Sequence, residues 1–265
     1  MSLWGLLGFQ WRRNRLPLLP MAIGLGLFQG ILSRMAPVPN ESSWMSAILA
    51  AVPPQLVALT GSDIAAVATT RGFLAIGYGH PIFLLLLGLW AVRVSSGALA
   101  GEIGRGTMDM IASRPVPRWH QVAAGFLTIV AGLVVLCAAA WGATTLGASV
   151  RSLGVAATAF LPVAGGGLLL FAAWGAVGLL VSAMRRDGGS AIAWTSGLMA
   201  FSFALDYLAR LWQPIAALRP WSLFRYYEPS RILREGLGGT DVLVLGSVTA
   251  AGLLAAFVVF QRRDL

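Results

Sequence analysis

An all-α membrane protein with six transmembrane helices is the fold class the sequence predicts, and three observations predict it. Hydrophobic residues make up 57% of the chain and charged residues 11%, against about 25% charged in a typical soluble domain. Apolar runs of the roughly 20 residues needed to cross a bilayer recur from end to end. Arginines gather in the short segments between those runs, as membrane topology favours. The ten-residue alternation of an outer-membrane barrel strand is not seen.

The elements follow in order. The opening stretch, MSLWGLLGFQWRRNR, sets Trp4, Leu7 and Trp11 at helical spacing ahead of Arg12, Arg13 and Arg15. It reads either as a helix along the inner membrane surface or as the positive flank of the first span. That span covers 16–33, bracketed by Arg15 and Arg34. It is long, contains Pro17 and Pro20 and lacks a small-residue cleavage site, so no cleavable signal peptide is expected. Gly26 and Gly30 form a G-x-x-x-G pattern. Such spacing permits close helix approach, either to a second copy as a dimer face or within the chain. The segment 34–80, with Pro53-Pro54, reads as short interfacial helices, and His80 at its end as a solvated residue at the mouth of the second span, 81–100. Arg93 lies about thirteen residues into that span and is expected to snorkel toward the headgroups.

The third span, 122–150, and the fourth, 153–184, exceed the minimum length and must tilt, kink or project. Cys137 in the third reads as a small buried hydrophobe. Pro162 followed by Gly165, Gly166 and Gly167 predicts a kink in the fourth. The fifth span, 190–211, carries Asp206 and Arg210 at i,i+4 spacing, a structural pair or one lining a gate. Trp212, Trp221, Tyr226 and Tyr227 in 212–241 suit the headgroup layer, where rings have one dry and one wet side. Re-entrant or interfacial helices are expected there. The sixth span is 242–260. The whole chain, 1–265, is expected to form a single transmembrane domain.

Arginine density orients the bundle. With the N-terminus cytoplasmic, the inside segments hold ten arginines in 46 residues and the outside segments seven in 79. Both termini are therefore expected in the cytoplasm. The net charge of +9 is accounted for by this placement and does not point to nucleic acid. All nineteen basic residues are arginine, which excludes a P-loop lysine and a Schiff-base lysine. One cysteine and two distant histidines exclude an internal disulfide and an HExxH zinc site. A membrane enzyme would need clustered His, Cys, Asp or Glu that the chain lacks, so no catalytic or metal-binding residue is expected.

The cytoplasmic connection 102–121, EIGRGTMDMIASRPVPRWHQ, is the chain's most polar interruption. Gly101, Gly104 and Gly106 loosen the exit from the second span. Thr107 can N-cap a short helix with Asp109 near its positive end. Met108, Met110 and Ile111 supply an apolar face, and Pro115 and Pro117 stop the helix. An exposed apolar face with no domain to cover it suggests a docking partner; the alternative is a helix lying on the lipid.

The run Gly101-Glu102-Ile103-Gly104-Arg105-Gly106-Thr107, continuing to Arg114-Pro115-Val116-Pro117-Arg118, resembles the G-E-x-x-x-G-T…P-V-x-R segment of ABC-2-type permeases. These are the six-span membrane subunits of type-2 ATP-binding-cassette transporters. Pro53-Pro54 with Gly61 resembles the outer loop of a subgroup related to copper-enzyme maturation and antibiotic export. Phe224-Arg225-Tyr226-Tyr227-Glu228-Pro229 resembles the element before the last span, and Phe260-Gln261-Arg262-Arg263-Asp264-Leu265 the common F-x-R-R-D ending.

The resemblance implies that the loop after the second span is a coupling helix seated on a separate ATPase subunit. Met108, Met110 and Ile111 would supply its apolar contact. Glu102, Arg105, Thr107, Asp109 and Arg114 would shape and orient it. Arg185-Arg186-Asp187 would be either a second contact or a plain positive loop. The implied partners are that ATPase, which would bind ATP and magnesium, a second permease copy or paralogue, and membrane lipids. This chain itself is expected to hold no cofactor. The implied activity is ATP-driven export of an amphiphilic small molecule, lipid, antibiotic or peptide across a bacterial inner membrane. A membrane partner supporting periplasmic enzyme maturation or sensing is the alternative.

Overall fold

A computed structural model of the chain describes residues 3–37, 69–106 and 117–263. The described residues fold into helices, and six of the helical stretches are long and apolar enough to cross a membrane. In chain order the helices are α1 (Leu3–Met35), α2 (Thr70–Gly79), α3 (Pro81–Ala98), α4 (Ala100–Gly104), α5 (Trp119–Val150), α6 (Leu161–Met184), α7 (Gly188–Leu211), α8 (Pro229–Glu235) and α9 (Gly239–Gln261). Short 3-10 turns at Ala157–Phe160, Gln213–Trp221 and Leu223–Tyr226 fill the connections on one face. The opposite face carries both ends of the described chain, Leu3 and Arg263, and is called the termini face below.

The fourth span, α6, is the centre of the bundle and packs against α3, α5, α7 and α9. Its composition explains the position. In lipid, helices associate by close packing rather than by escape from water, and small residues let their backbones approach. A Cβ at Gly175 would lie 2.8 Å from Ile129 of α5, and one at Gly252 of α9 would lie 3.2 Å from the backbone of Ala176. The most demanding of these approaches lies outside α6. A Cβ on Gly132 of α5 would fall 2.0 Å from the indole of Trp90, which is fully buried and donates its Nε1–H to the Ile129 carbonyl at 2.9 Å.

Several buried hydroxyls are satisfied within their own helices. Thr128, Thr144 and Ser33 donate to the carbonyls of Ala124, Ala140 and Gln29. Polar side chains can thereby sit in an apolar interior without an unpaired donor.

Several expectations change. Residues 3–35 form one continuous helix about 50 Å long at 1.5 Å per residue, with Pro17 and Pro20 inside it. The opening stretch is thus neither a separate surface helix nor a bare flank. Its Leu6 is buried and its Gln10 lies 3.4 Å from Thr128 of α5, so packing carries the helix onward.

The second crossing begins before Pro81, because α2 leads into α3. Between them His80 adopts an extended conformation and its Nδ1 accepts the Ile82 N–H at 3.2 Å, so His80 caps a helix. Tyr78 of α2 is buried and donates to Thr144, while its carbonyl accepts from the hydroxyl of Tyr227 at 3.1 Å. Tyr78 and Tyr227 are both buried within the protein.

Pro162 does not interrupt the fourth span's α-helix. Pro162 stands in the first turn of α6, where its missing N–H costs nothing. Gly166 and Gly167 instead admit Ile232, Tyr227 and Phe83 at 3.0–3.2 Å from where a Cβ would be. Cys137 is buried among hydrophobic residues, as expected.

Candidate functional site

The predicted coupling segment is entered through α4. The helix α3 ends where Leu99 leaves helical geometry (φ −123°, ψ −69°). Ser182 of α6 holds the break. Its Oγ accepts the Ala100 N–H at 2.9 Å and donates to the Ser96 carbonyl at 3.3 Å. A Cβ on Gly101 would lie 3.3 Å from the Ser96 carbonyl oxygen, and one on Gly104 would lie 3.2 Å from the Asp187 backbone. These two glycines fit α4 against its neighbours rather than loosening it. Gly106 has φ +68°, the left-handed region in which a side chain is strained.

Glu102 is buried, 7% exposed. Its Oε1 accepts from Arg105 Nη2 at 2.8 Å and pairs with Arg13 of α1. A buried carboxylate needs such partners to remain charged. Glu102 thus ties the entry of the loop to the first helix.

The exit is tied as firmly. Arg118 Nη1 lies 3.2, 3.1 and 2.5 Å from the carbonyl oxygens of Phe260, Gln261 and Arg263. Arg263 Nη1 in turn lies 2.6 and 2.7 Å from those of Ala183 and Arg185. Each guanidinium sits where a helix ends with unpaired carbonyls and the negative end of its dipole. The ends of α6 and α9 and the start of α5 are thereby joined.

Of the predicted docking residues, Glu102 and Arg105 are brought together. Thr107, Met108, Asp109, Met110, Ile111 and Arg114 lie outside the described residues. Asp187 serves locally by capping α7. The Ser190 backbone N–H and hydroxyl, donating to it at 2.7 and 2.8 Å, hold its carboxyl below the usual carboxylate range. Arg185 lies 4.6 Å over the Trp194 ring.

On the opposite face, Asp206 and Arg210 pair at 2.9 Å. They belong to a larger group. Arg219 Nε also bonds Asp206 at 2.9 Å, and Glu228 lies 3.7 and 3.8 Å from the two guanidinium groups. The G-x-x-x-G glycines differ in surroundings. A Cβ on Gly26 would just reach Ala139 of α5 at 4.0 Å, whereas one on Gly30 would meet nothing within 4 Å.

Between α3 and α7 runs an apolar groove of about 720 Å³. Leu85, Gly88 and Leu89 line one wall and Ser196, Met199 and Ala200 the other. Arg93 lines it too and is exposed, as snorkelling requires. No hydrogen bond or ion pair to Arg93 occurs among the described residues. No group of three metal-ligating side chains occurs among them either.

The model of a family described as "ABC-2 family transporter protein" matches residues 20–265. The chain belongs to the ABC-2 transporter family. No curated protein sequence matches it. As an ABC-2 family member with six spanning helices, the chain is a multi-pass membrane protein and a transporter permease.

Family membership places the loop stems in context. Two segments far apart in the sequence, the end of the loop at Arg118 and the end of α9, meet through Arg118 and the carbonyls of Phe260, Gln261 and Arg263. The sequence reading did not pair them. Nor did it join Arg13 to Glu102, or add Arg219 and Glu228 to the Asp206 pair. The only available signal was that these charges border apolar runs, where an unpaired charge is costly.

Proposed function

We propose that the chain is the permease subunit of an ATP-driven exporter in a bacterial inner membrane, energised by a separate ATP-binding-cassette ATPase that docks on residues 101–120. The termini face is then cytoplasmic. One observation supports this reading above others: both stems of the loop are anchored, the entry through Glu102 to Arg13 and the exit through Arg118 to the end of α9. Displacement of the stems passes to α1, α5 and α9, and through Arg263 to the central α6.

Met108, Met110 and Ile111 form the apolar contact with the ATPase. Asp109 and Arg114 orient it, and Thr107 starts the helix that carries it. ATP and magnesium are bound by the partner, where hydrolysis takes place. Two permeases, identical or related, complete the transporter. The groove between α3 and α7 is apolar along most of its length, which favours an amphiphilic substrate over a free ion.

The test is purification of the tagged chain from membranes of its own source, with assay of the eluate for ATP hydrolysis. The wild-type eluate hydrolyses ATP, and the Met110→Asp, Ile111→Asp double variant inserts normally but elutes without hydrolysis. An unchanged hydrolysis rate in the variant eluate overturns the docking assignment.

A further inference from the structure

Arg93 sits where two cavities meet. It lines the apolar groove between α3 and α7. It also lines a pocket of about 180 Å³ on the termini face, between α1, α3, α4 and the start of α7, whose wall mixes apolar with charged side chains. Ile192 lines both as well, so groove and pocket adjoin along one line. The pocket holds three arginines, Arg13, Arg93 and Arg105, against one carboxylate, Glu102. Arg13 and Arg105 are already engaged by Glu102, whereas Arg93 is a cation without a counter-charge among the described residues. Gln121 also lines the pocket. It is 5% exposed and its side-chain oxygen has no hydrogen-bond partner.

A guanidinium beside an apolar groove favours an anion as partner, and a buried amide oxygen is costly without a donor. The occupant that meets both needs has an anionic group for Arg93 and a hydroxyl donor for Gln121. It also has an apolar chain for the groove. From Pro81 to Arg93 the wall is about 18 Å long at 1.5 Å per residue, close to the roughly 15 Å that one leaflet contributes to the hydrocarbon core.

We infer that an anionic phospholipid of the inner leaflet binds here, its phosphate on Arg93, its headgroup hydroxyls toward Gln121 and one acyl chain along the α3–α7 groove. The inference rests on the proposed orientation and deepens it: the amphiphile that enters the groove is selected by negative charge. Arg93 is the specificity-determining residue. Ser196 is the other polar side chain lining the groove and carries no charge, so discrimination falls to Arg93.

The experiment uses the full chain in detergent with pyrene-labelled phosphatidylglycerol as the reporter. Displacement by dioleoylphosphatidylglycerol is compared with displacement by dioleoylphosphatidylcholine and by inorganic phosphate. The wild type prefers the glycerol lipid by about tenfold, the equivalent of roughly 1.4 kcal/mol, and phosphate alone does not displace the label. Arg93→Gln loses most of the preference, the hydroxyl contact at Gln121 keeping a small remainder, and Arg93→Lys retains most of it. Ala200→Phe, which fills the groove, weakens both lipids. Arg12→Gln, a change at an exposed arginine elsewhere on the termini face, behaves as wild type.

Equal binding of the two lipids by the wild type overturns the inference, as does an undiminished preference in Arg93→Gln. Displacement by phosphate alone overturns the lipid as occupant. The ATP-hydrolysis assay on the Met110 and Ile111 variant needs no lipid discrimination. Failure here alongside success there removes the lipid site and leaves the permease reading standing.

Discussion

Arg219 Nε donates to Asp206 Oδ1 at 2.9 Å, linking the 3-10 turn Gln213–Trp221 back to the end of α7. The same carboxylate receives Arg210 through its other oxygen. One buried acid, 6% exposed, therefore neutralises two guanidinium groups, with Glu228 farther off. Its loss should be far worse than the loss of either partner. Asp206→Ala leaves two cations side by side and costs about 3 kcal/mol, the range for breaking a buried pair. Arg219→Gln leaves the Arg210 pair intact and costs about 1 kcal/mol. Thermal unfolding of the purified variants in detergent ranks them, and equal losses would mean that the carboxylate is not the hub.

Gly132 and Gly142 lie on the same helix and should respond in opposite directions. A methyl at position 132 would overlap the Trp90 indole, whereas a Cβ at 142 would meet nothing within 4 Å. Gly132→Ala overpacks the interior and destabilises by about 1–3 kcal/mol. Gly142→Ala raises stability by about 0.4–1 kcal/mol through reduced freedom of the unfolded chain. Melting temperatures in one detergent provide the comparison. A neutral Gly132→Ala would show that α3 and α5 do not approach at this point.

Asp187 carries a pH dependence of definite sign. Its carboxyl is lowered by hydrogen bonds from the backbone and side chain of Ser190, so folding favours the ionised form. The stabilisation is fully present above the unfolded carboxylate value, about 3.9. It is lost as pH falls through the lower folded value. Stability of the wild type minus that of Asp187→Asn, followed by thermal melts from neutral pH downward, should be constant near neutrality and shrink in acid. A difference that grows on acidification would contradict the cap.

The six crossings were legible because each depends on a property that accumulates along the chain: about 20 apolar residues, with arginine at the ends. The stretches at 190–211 and 242–260 match α7 and α9 to within three residues. Where the reading differed, packing against distant residues decided. Residues 3–15 look like a surface helix in isolation, but Leu6 and Gln10 meet α5. Pro162 looks like a kink until it is seen to begin a helix.

Among the site residues, Asp206 and Arg210 were legible because a helix places i and i+4 together. Arg13 and Glu102 are 89 positions apart, and Arg118 and Arg263 are 145 apart. No periodicity connects such pairs. Arg93 was legible as an isolated charge, but not the groove and pocket it joins, which need α1, α3 and α7 in place.

The claim that matters most is that the loop at residues 107–116 faces the cytoplasm, where an ATPase can reach it. The direct measurement is labelling of Met110→Cys and Trp221→Cys, each in a Cys137→Ala background, with a membrane-impermeant maleimide in intact cells. Trp221 is 82% exposed on the opposite face and serves as the outside reference. Trp221→Cys labels in intact cells, and Met110→Cys labels only after the membrane is opened. Labelling of Met110→Cys in intact cells, with Trp221→Cys protected, would contradict the orientation and with it the ATP-driven permease.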